Sequence, residues 1–302
     1  MRIILIGQAV FAEKVLDGVR ARGHDVVAVY CPPDPPGGKS DPVKTRALTL
    51  GISVRQHLSL KAPAVRQEFA GLAADLGVMA YVTQIVPKVV IDTPRLGSIC
   101  FHPSLLPRYR GGSAIPWQII RGETRTGVTV FWADAGIDTG PILLQREATI
   151  GPDDTAGSLY YQTLLALGVE VVLESVERIA AGTAPRIPQD EASASYDPLC
   201  RDEHAQVDWL RPVEEVYNLI RGCDPQPGAY VVRDGAKIRF FDTRRADRTD
   251  VAPGVIGEIS DAGMVIGGTG GAVRVGRVRL GERKIAASEA VRELGLSVGA
   301  RL

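Results

Sequence analysis

Apolar and polar positions alternate in two rhythms along the first hundred residues. Residues 2–6 (RIILI) are a short continuous apolar run, and residues 11–22 follow with Phe11, Val15 and Val19 at helical spacing. Strand-like runs return at 25–30 (DVVAVY), 52–54, 76–81 (LGVMAY) and 98–101, with a helical pattern at 65–73. Short runs that are apolar on both faces, separated by helices, fit a parallel sheet covered on both sides. The pattern predicts an α/β fold with a doubly wound, mostly parallel sheet.

The rhythm then changes. Residues 127–132 (GVTVFW) and 142–150 (ILLQREATI) read as strands joined through ADAGIDTG. Residues 154–181 read as one long helix with Asp153 or Asp154 as its N-cap. Residues 183–205 lack periodicity and read as a linker or wrapping segment. A short helix at 212–221 precedes glycine-punctuated strands at 229–232, 238–241, 254–259, 264–266 and 272–278. Those strands predict a smaller C-terminal β-barrel-like domain. The expected organisation is a catalytic domain over 1–188, a linker over 189–205 and a β-rich domain over 206–302.

Composition narrows the function. Lys plus Arg and Asp plus Glu both number 35, so no overall field gathers a polyanion. The N-terminal apolar run is broken by Gln8 and closed by Glu13 and Lys14, unlike a signal peptide. No run of about 18 apolar residues occurs, so neither a membrane span nor a membrane partner is expected. Cys31, Cys100, Cys200 and Cys223 are far apart and never in CxxC spacing. They predict no zinc or other metal site and no disulfide framework, and a cytoplasmic location.

Three stretches invite a chemical reading. The first βα turn, Gly7-Gln8-Ala9-Val10-Phe11, has one glycine where a dinucleotide site wants three, so it reads as a plain strand-to-helix turn. It could still line an acceptor pocket at the strand ends. Gly267–Gly271 (GGTGG) precedes a strand and not a helix, so it reads as a hairpin turn and not a phosphate cradle. Asp202, Glu203 and His204 read as a solvated turn. The stretch CFHPSLLPRYRGG is different. His102 ends an apolar strand and enters a loop stiffened by Pro103 and Pro107. Catalytic groups in open α/β sheets collect at such strand ends. A structural histidine bonded to a carbonyl is the competing reading. Alternation puts Cys100 and His102 on one face and Phe101 on the other. Asp134 and Asp138 lie in one short loop, and a carboxylate facing a histidine favours the imidazolium.

HPSLLPRYRGGSAI, followed by AGIDTGPILLQ, resembles the signature of the formyltransferase family that uses 10-formyltetrahydrofolate. MRIILIGQAVFAEKV, YVTQIVPKVVI and NLIRGCDPQPGAY extend the resemblance to about residue 231. The family includes glycinamide ribonucleotide, methionyl-tRNA and sugar-nucleotide formyltransferases, and the stretches quoted resemble in particular the N-terminal hydrolase domain of 10-formyltetrahydrofolate dehydrogenase. The resemblance implies a folate cleft at the carboxyl edge of the sheet, lined by Tyr81, Val82, Gln84, Ile85, Asp134 and Asp138. It implies His102 and Asp138 as the catalytic pair, with no metal. Transferases of the family carry asparagine two residues before the histidine, where this chain has Cys100. A thiol is a poor donor to an oxyanion. Cys100 could instead attack the formyl carbon itself, or be inert.

Four functions follow from the resemblance. The first is formyl transfer to an amine, releasing tetrahydrofolate. The second is hydrolysis of the same donor to formate, towards which Cys100 points. The third is methionyl-tRNA formylation, weakened because CPPDPPGGKSDPVK carries only Lys39 and Lys44 against its aspartates. The fourth is a non-catalytic folate-binding protein. With an end at residue 302, no dehydrogenase or carrier domain is expected, which favours transfer.

Overall fold

The computed structural model describes residues 1–302. Two compact units divide them: 1–112, 127–148 and 162–196 form the first; 113–126, 149–161 and 197–302 form the second. The C-terminal sheet thus shares its unit with two segments from earlier in the chain.

The first unit is built on a seven-stranded sheet: β1 (Arg2–Gly7), β2 (Asp25–Cys31), β3 (Val54–Gln56), β4 (Leu76–Ala80), β5 (Ser98–His102), β6 (Arg125–Trp132) and β7 (Ile142–Thr149). Their order is β3-β2-β1-β4-β5-β6-β7. β1 to β5 pair in parallel, and β6 runs antiparallel to β5. The predicted mostly parallel sheet is therefore present. On one face Ile4, Ile6 and Tyr30 pack with Val65 and Phe69 of α3 (Pro63–Gly71) and Val90 and Ile91 of α4 (Lys88–Ile91). On the other, Phe11 of α1 (Ala9–Ala21) meets Phe101 of β5, ring centroids 4.2 Å apart. Burying such side chains stabilises a fold by roughly 1.5–3 kcal/mol each.

Four helices escape the periodicity. α2 (Pro42–Thr49), α4 and α9 (Ala287–Glu293) are short, and α5 (Ala114–Ile120, AIPWQII) is apolar nearly throughout, so none shows a clear helical stripe. α2 nevertheless carries a start signal, Asp41 as N-cap and Pro42 at the first helical position. The predicted helix at 154–181 is α6 (Ala156–Leu159), a π turn and α7 (Leu165–Ala180). Its N-cap is Thr155 in a capping box with Ser158, not Asp153 or Asp154. Asp154 instead accepts from the Gly151 amide and the Ser158 hydroxyl. By length and composition alone, 156–180 could cross a membrane. Yet α7 is a core helix, with Val171, Val172 and Val176 at most 1% exposed.

The second unit holds a six-stranded antiparallel sheet of β8 (Tyr230–Arg233), β9 (Ala236–Ala246), β10 (Ile256–Ser260), β11 (Gly263–Gly268), β12 (Gly271–Leu280) and β13 (Arg283–Ala286). α8 (Val213–Gly222) and α9 (Ala287–Glu293) pack on it around Trp209, Tyr217, Ile220, Phe240 and Val278. GGTGG turns the β11–β12 hairpin, as its composition predicts. The cluster at 202–204 is not merely solvated. Asp202 pairs with Lys237 at 2.6 Å and Arg239 at 2.7 Å, contacts that hold its carboxyl down to about 2.

Gly168 of α7 sits against the Phe11–Phe101 pair: a Cβ there would lie 2.5 Å from Phe101 Cε2 and 2.9 Å from Phe11 Cε2. Both rings are buried and cannot retreat. Gly168→Val is expected to lower stability by about 2 kcal/mol or more, because overpacking outweighs the gain in helix propensity. The urea midpoint measures this, and an unchanged midpoint would contradict the packing described.

Candidate active site

Register places His102. Gly7 of β1 pairs with Ala80, and Met79 pairs with Cys100, so Tyr81 and His102 lie level at the carboxyl ends of β4 and β5. β6 runs the other way and ends level with the start of β5, where the Ala133 amide donates to Ser98 O at 2.8 Å. Asp138 therefore reaches His102 only because the loop after β6 doubles back about 13 Å along β5. It runs on the side of Cys100, which packs in the same apolar cluster as Ala133, Val82, Met79 and Val86.

His102 is 5% exposed. Its Nε2 lies 2.7 Å from the Tyr109 carbonyl, and its Nδ1 lies 3.5 Å from Asp138 Oδ2. A carbonyl only accepts, so Nε2 must carry a proton in either charge state of the ring. That leaves Nδ1 as the nitrogen that faces the carboxylate. At 3.5 Å this is an electrostatic contact, longer than a charge-assisted hydrogen bond. The competing reading, a histidine bonded to a carbonyl, describes half of the arrangement. One ring nitrogen is structural and the other is available for chemistry.

The loop after β5 is shaped for this. Tyr109 has φ +61° and Asp138 φ +57°, a region that costs a side-chain-bearing residue of order 1–2 kcal/mol. Gly111, at φ +104°, turns its amide to donate to Asp138 Oδ2 at 2.8 Å. The hydroxyl of Ser104 donates to Arg108 O at 2.7 Å, and Thr129 Oγ1 donates to Ser104 O at 2.6 Å.

The first part of the segment read as a linker wraps this loop. The Tyr109 amide donates to Ser195 Oγ at 2.8 Å, and the Arg110 amide donates to Ser195 O at 2.9 Å. Gln189 Nε2 donates to Asp138 O and Gly140 O, both at 2.8 Å. Buried Arg110 donates to Gln189 Oε1 at 2.8 Å and to Glu191 Oε1 at 2.7 Å. Glu191, then Asp138 and Asp134, raise the Arg110 pKa, while its guanidinium lowers that of Glu191. Gln189 and Ser195 lie in no motif, and Tyr109, although inside HPSLLPRYRGG, acts through its backbone carbonyl, which no side-chain pattern marks.

Cys100 shares the face of His102. Its thiol is pushed well above the ordinary range, chiefly by burial and secondarily by Asp138. It points at Phe101 O, 3.6 Å away. Of the expected folate residues, Tyr81, Val82 and Gln84 line a small cavity of about 20 Å³ with Gly7, Gln8 and Tyr30. Ile85 is 66% exposed and does not line it. Asp134 is tied into its own loop, accepting from the Gly136 amide at 3.0 Å and Thr139 Oγ1 at 2.7 Å. No three His, Cys, Asp or Glu side chains are grouped to hold a metal.

Known proteins share this sequence and architecture. Cytosolic 10-formyltetrahydrofolate dehydrogenase of Mus musculus is 42% identical over 248 residues, 80% of this chain but 27% of that protein. The chain thus spans about a quarter of the first curated relatives' length. Methionyl-tRNA formyltransferase of Geobacter metallireducens is 37% identical over 308 residues, 100% of this chain and 98% of that protein. HypX from Aquifex aeolicus, solved in complex with tetrahydrofolic acid, has the same fold, with a TM-score of 0.73 at 22% identity over 99% of this chain and 48% of that one. The family model for formyl transferase matches residues 1–176, and the one for its C-terminal domain matches 200–294. With matches of this extent, the chain belongs to the formyl transferase family, a family of enzymes.

Proposed function

We propose that the chain transfers a formyl group from 10-formyltetrahydrofolate to an amine, with His102 and Asp138 as the catalytic pair. The observation that carries this reading is His102 held by the Tyr109 carbonyl through Nε2 while Nδ1 faces Asp138. The acceptor nitrogen attacks the formyl carbon, and a tetrahedral oxyanion forms. A proton on Nδ1 stabilises that charge, and Asp138 stabilises the imidazolium. The bond to folate N10 then breaks, and the proton lost by the acceptor amine passes to N10. The apolar cluster of Met79, Val82, Val86, Cys100 and Ala133 offers a floor for a flat ring, with Asp134 and Asp138 beside it. Residues 1–188 would carry this chemistry, and a cytoplasmic setting suits a soluble folate donor.

Hydrolysis is the second reading, in which water replaces the amine and formate leaves. Cys100 favours it, since a half-buried, protonated thiol donates weakly to an oxyanion. A tRNA acceptor is less supported, because Lys44 is already paired with Asp34 and Gln56.

Purified protein given 10-formyltetrahydrofolate, alone and with candidate amines, separates these readings by tetrahydrofolate release. Amine-dependent release means transfer, and amine-independent release means hydrolysis. His102→Ala is expected to lower turnover about a thousandfold and Asp138→Asn about a hundredfold. Turnover unchanged in both would remove His102 and Asp138 as the catalytic pair, and no release by the wild type under any condition, with folate still bound, would leave only a folate-binding role.

Cys100 is expected to be a spectator. Below its raised pKa the thiol is neutral, so it does not ionise between pH 7 and 9. Cys100→Ala should keep turnover within about threefold, and iodoacetamide should label Cys100 slowly across that range. Loss of turnover with trapping of a formyl thioester would make it the nucleophile instead.

A further inference from the structure

All four cysteines are free thiols, and two of them face each other. Cys200 Sγ lies 4.0 Å from Cys223 Sγ, although the two residues are 23 apart in the chain. Cys223 caps the C-terminus of α8 and is fully buried, in one cluster with Tyr217, Ile220 and Phe240. Cys200 is only half-buried. A disulfide places its sulfurs about 2.05 Å apart, so the pair must close by about 2 Å, which side-chain rotation supplies.

The backbone brings Cys200 to this place. Residues 197–200 form a strap along α5. Trp117 Nε1 donates to Pro198 O at 2.7 Å, Asp197 pairs with Arg121, and the Cys200 amide donates to Ser113 Oγ at 3.0 Å. α5 packs in turn on α8, where a Cβ on Gly222 would lie 2.6 Å from Ile120 Cγ1. Strap, α5 and α8 all belong to the second unit.

The two thiols are unlike. With its S–H, Cys223 donates to Cys200, which lowers the Cys200 pKa against the opposing effects of burial and Glu203. The same bond, and then burial, pushes Cys223 far up. Cys31 and Cys100 are also pushed up, chiefly by burial. Of the four thiols, only Cys200 is both reachable from solvent and eased towards the thiolate, the form that attacks a peroxide.

We propose that Cys200 and Cys223 are a reversible redox pair: a hydroperoxide oxidises Cys200, Cys223 resolves it, and the disulfide locks the strap to α8. The Cys200 thiolate attacks one peroxide oxygen, the O–O bond breaks, and the other oxygen leaves as hydroxide. Cys200 is then a sulfenic acid. The Cys223 sulfur attacks the sulfenic sulfur, the S–O bond breaks, and the Cys223 proton leaves with the hydroxyl as water. In sum, two thiols and one hydrogen peroxide give one disulfide and two waters. A dithiol reductant reverses the change. The closed loop restricts the unfolded chain, so the oxidised form is the more stable. Nothing here rests on the formyl-transfer reading.

The test exposes the full chain to a few equivalents of hydrogen peroxide and digests it without reduction. Mass analysis is expected to find the Cys200 peptide joined to the Cys223 peptide, and dithiothreitol to separate them. The urea midpoint is expected to rise by about 0.5 M on oxidation and to fall back on reduction. In Cys223→Ala, Cys200 stops at the sulfenic acid, and dimedone traps it at least about tenfold more than in the wild type. Cys200→Ser, at the half-buried position, serves if the alanine variant does not fold, and there Cys223 stays reduced. Oxidation of Cys31 or Cys100 ahead of Cys200 overturns the proposal. So does over-oxidation of Cys200 with no link to Cys223, or oxidation of Cys223 in Cys200→Ser. A link that leaves the midpoint unchanged overturns the lock.

Discussion

The hydrogen bond from His102 Nε2 to the Tyr109 carbonyl sets a boundary condition for the whole site. Because that carbonyl has no proton to give, Nε2 is committed as a donor and only Nδ1 is left to face Asp138. For the carbonyl to arrive there, the chain must turn back within seven residues of leaving β5. That turn explains the proline-flanked loop, the left-handed Tyr109 and the glycine at 111. The same return brings the Gly111 amide to Asp138, so one loop orients both partners.

Such a loop would not hold its shape alone. Tyr109 and Asp138 occupy backbone conformations of order 1–2 kcal/mol above the ordinary ones, and surrounding contacts must over-determine them. Those contacts come from Ser195 and Gln189 on one side and from Ser104 and Thr129 on the other. A net hydrogen bond contributes about 1 kcal/mol, so a handful of them offsets the strain. Arg110 completes the arrangement because its guanidinium bridges Gln189 and Glu191 while its own amide is bound by Ser195. Left-handed Ala9 and Tyr81 at the ends of β1 and β4 continue the theme along the same sheet edge.

Much of this was legible in the chain. Continuous apolar runs gave the strands of the parallel sheet, since burial on both faces leaves no polar positions to confuse the period. His102 and Asp138 stood out because loop chemistry and a family signature marked them. Three things stayed hidden. Helices α2, α4 and α9 are too short for a periodic stripe, and α5 is too uniformly apolar. The doubling back of the 133–138 loop depends on β6 being antiparallel, which no local pattern encodes. Gln189 and Ser195 sit in a stretch without periodicity, and their partners lie some 50 to 90 residues earlier in the chain.

That last separation bears on how the site comes into being during synthesis. His102, Tyr109 and Asp138 are all translated before Gln189 and Ser195. The sheet can assemble from its own strands, yet the latch on the His102 loop arrives only when some fifty further residues have left the ribosome. The N-terminal family match ends at residue 176, short of that latch. A nascent chain of that length would hold His102 and Asp138 on loops still free to relax from their left-handed turns. The pairing of His102 with Asp138 is then a late event in the life of the chain, later than the fold that carries it.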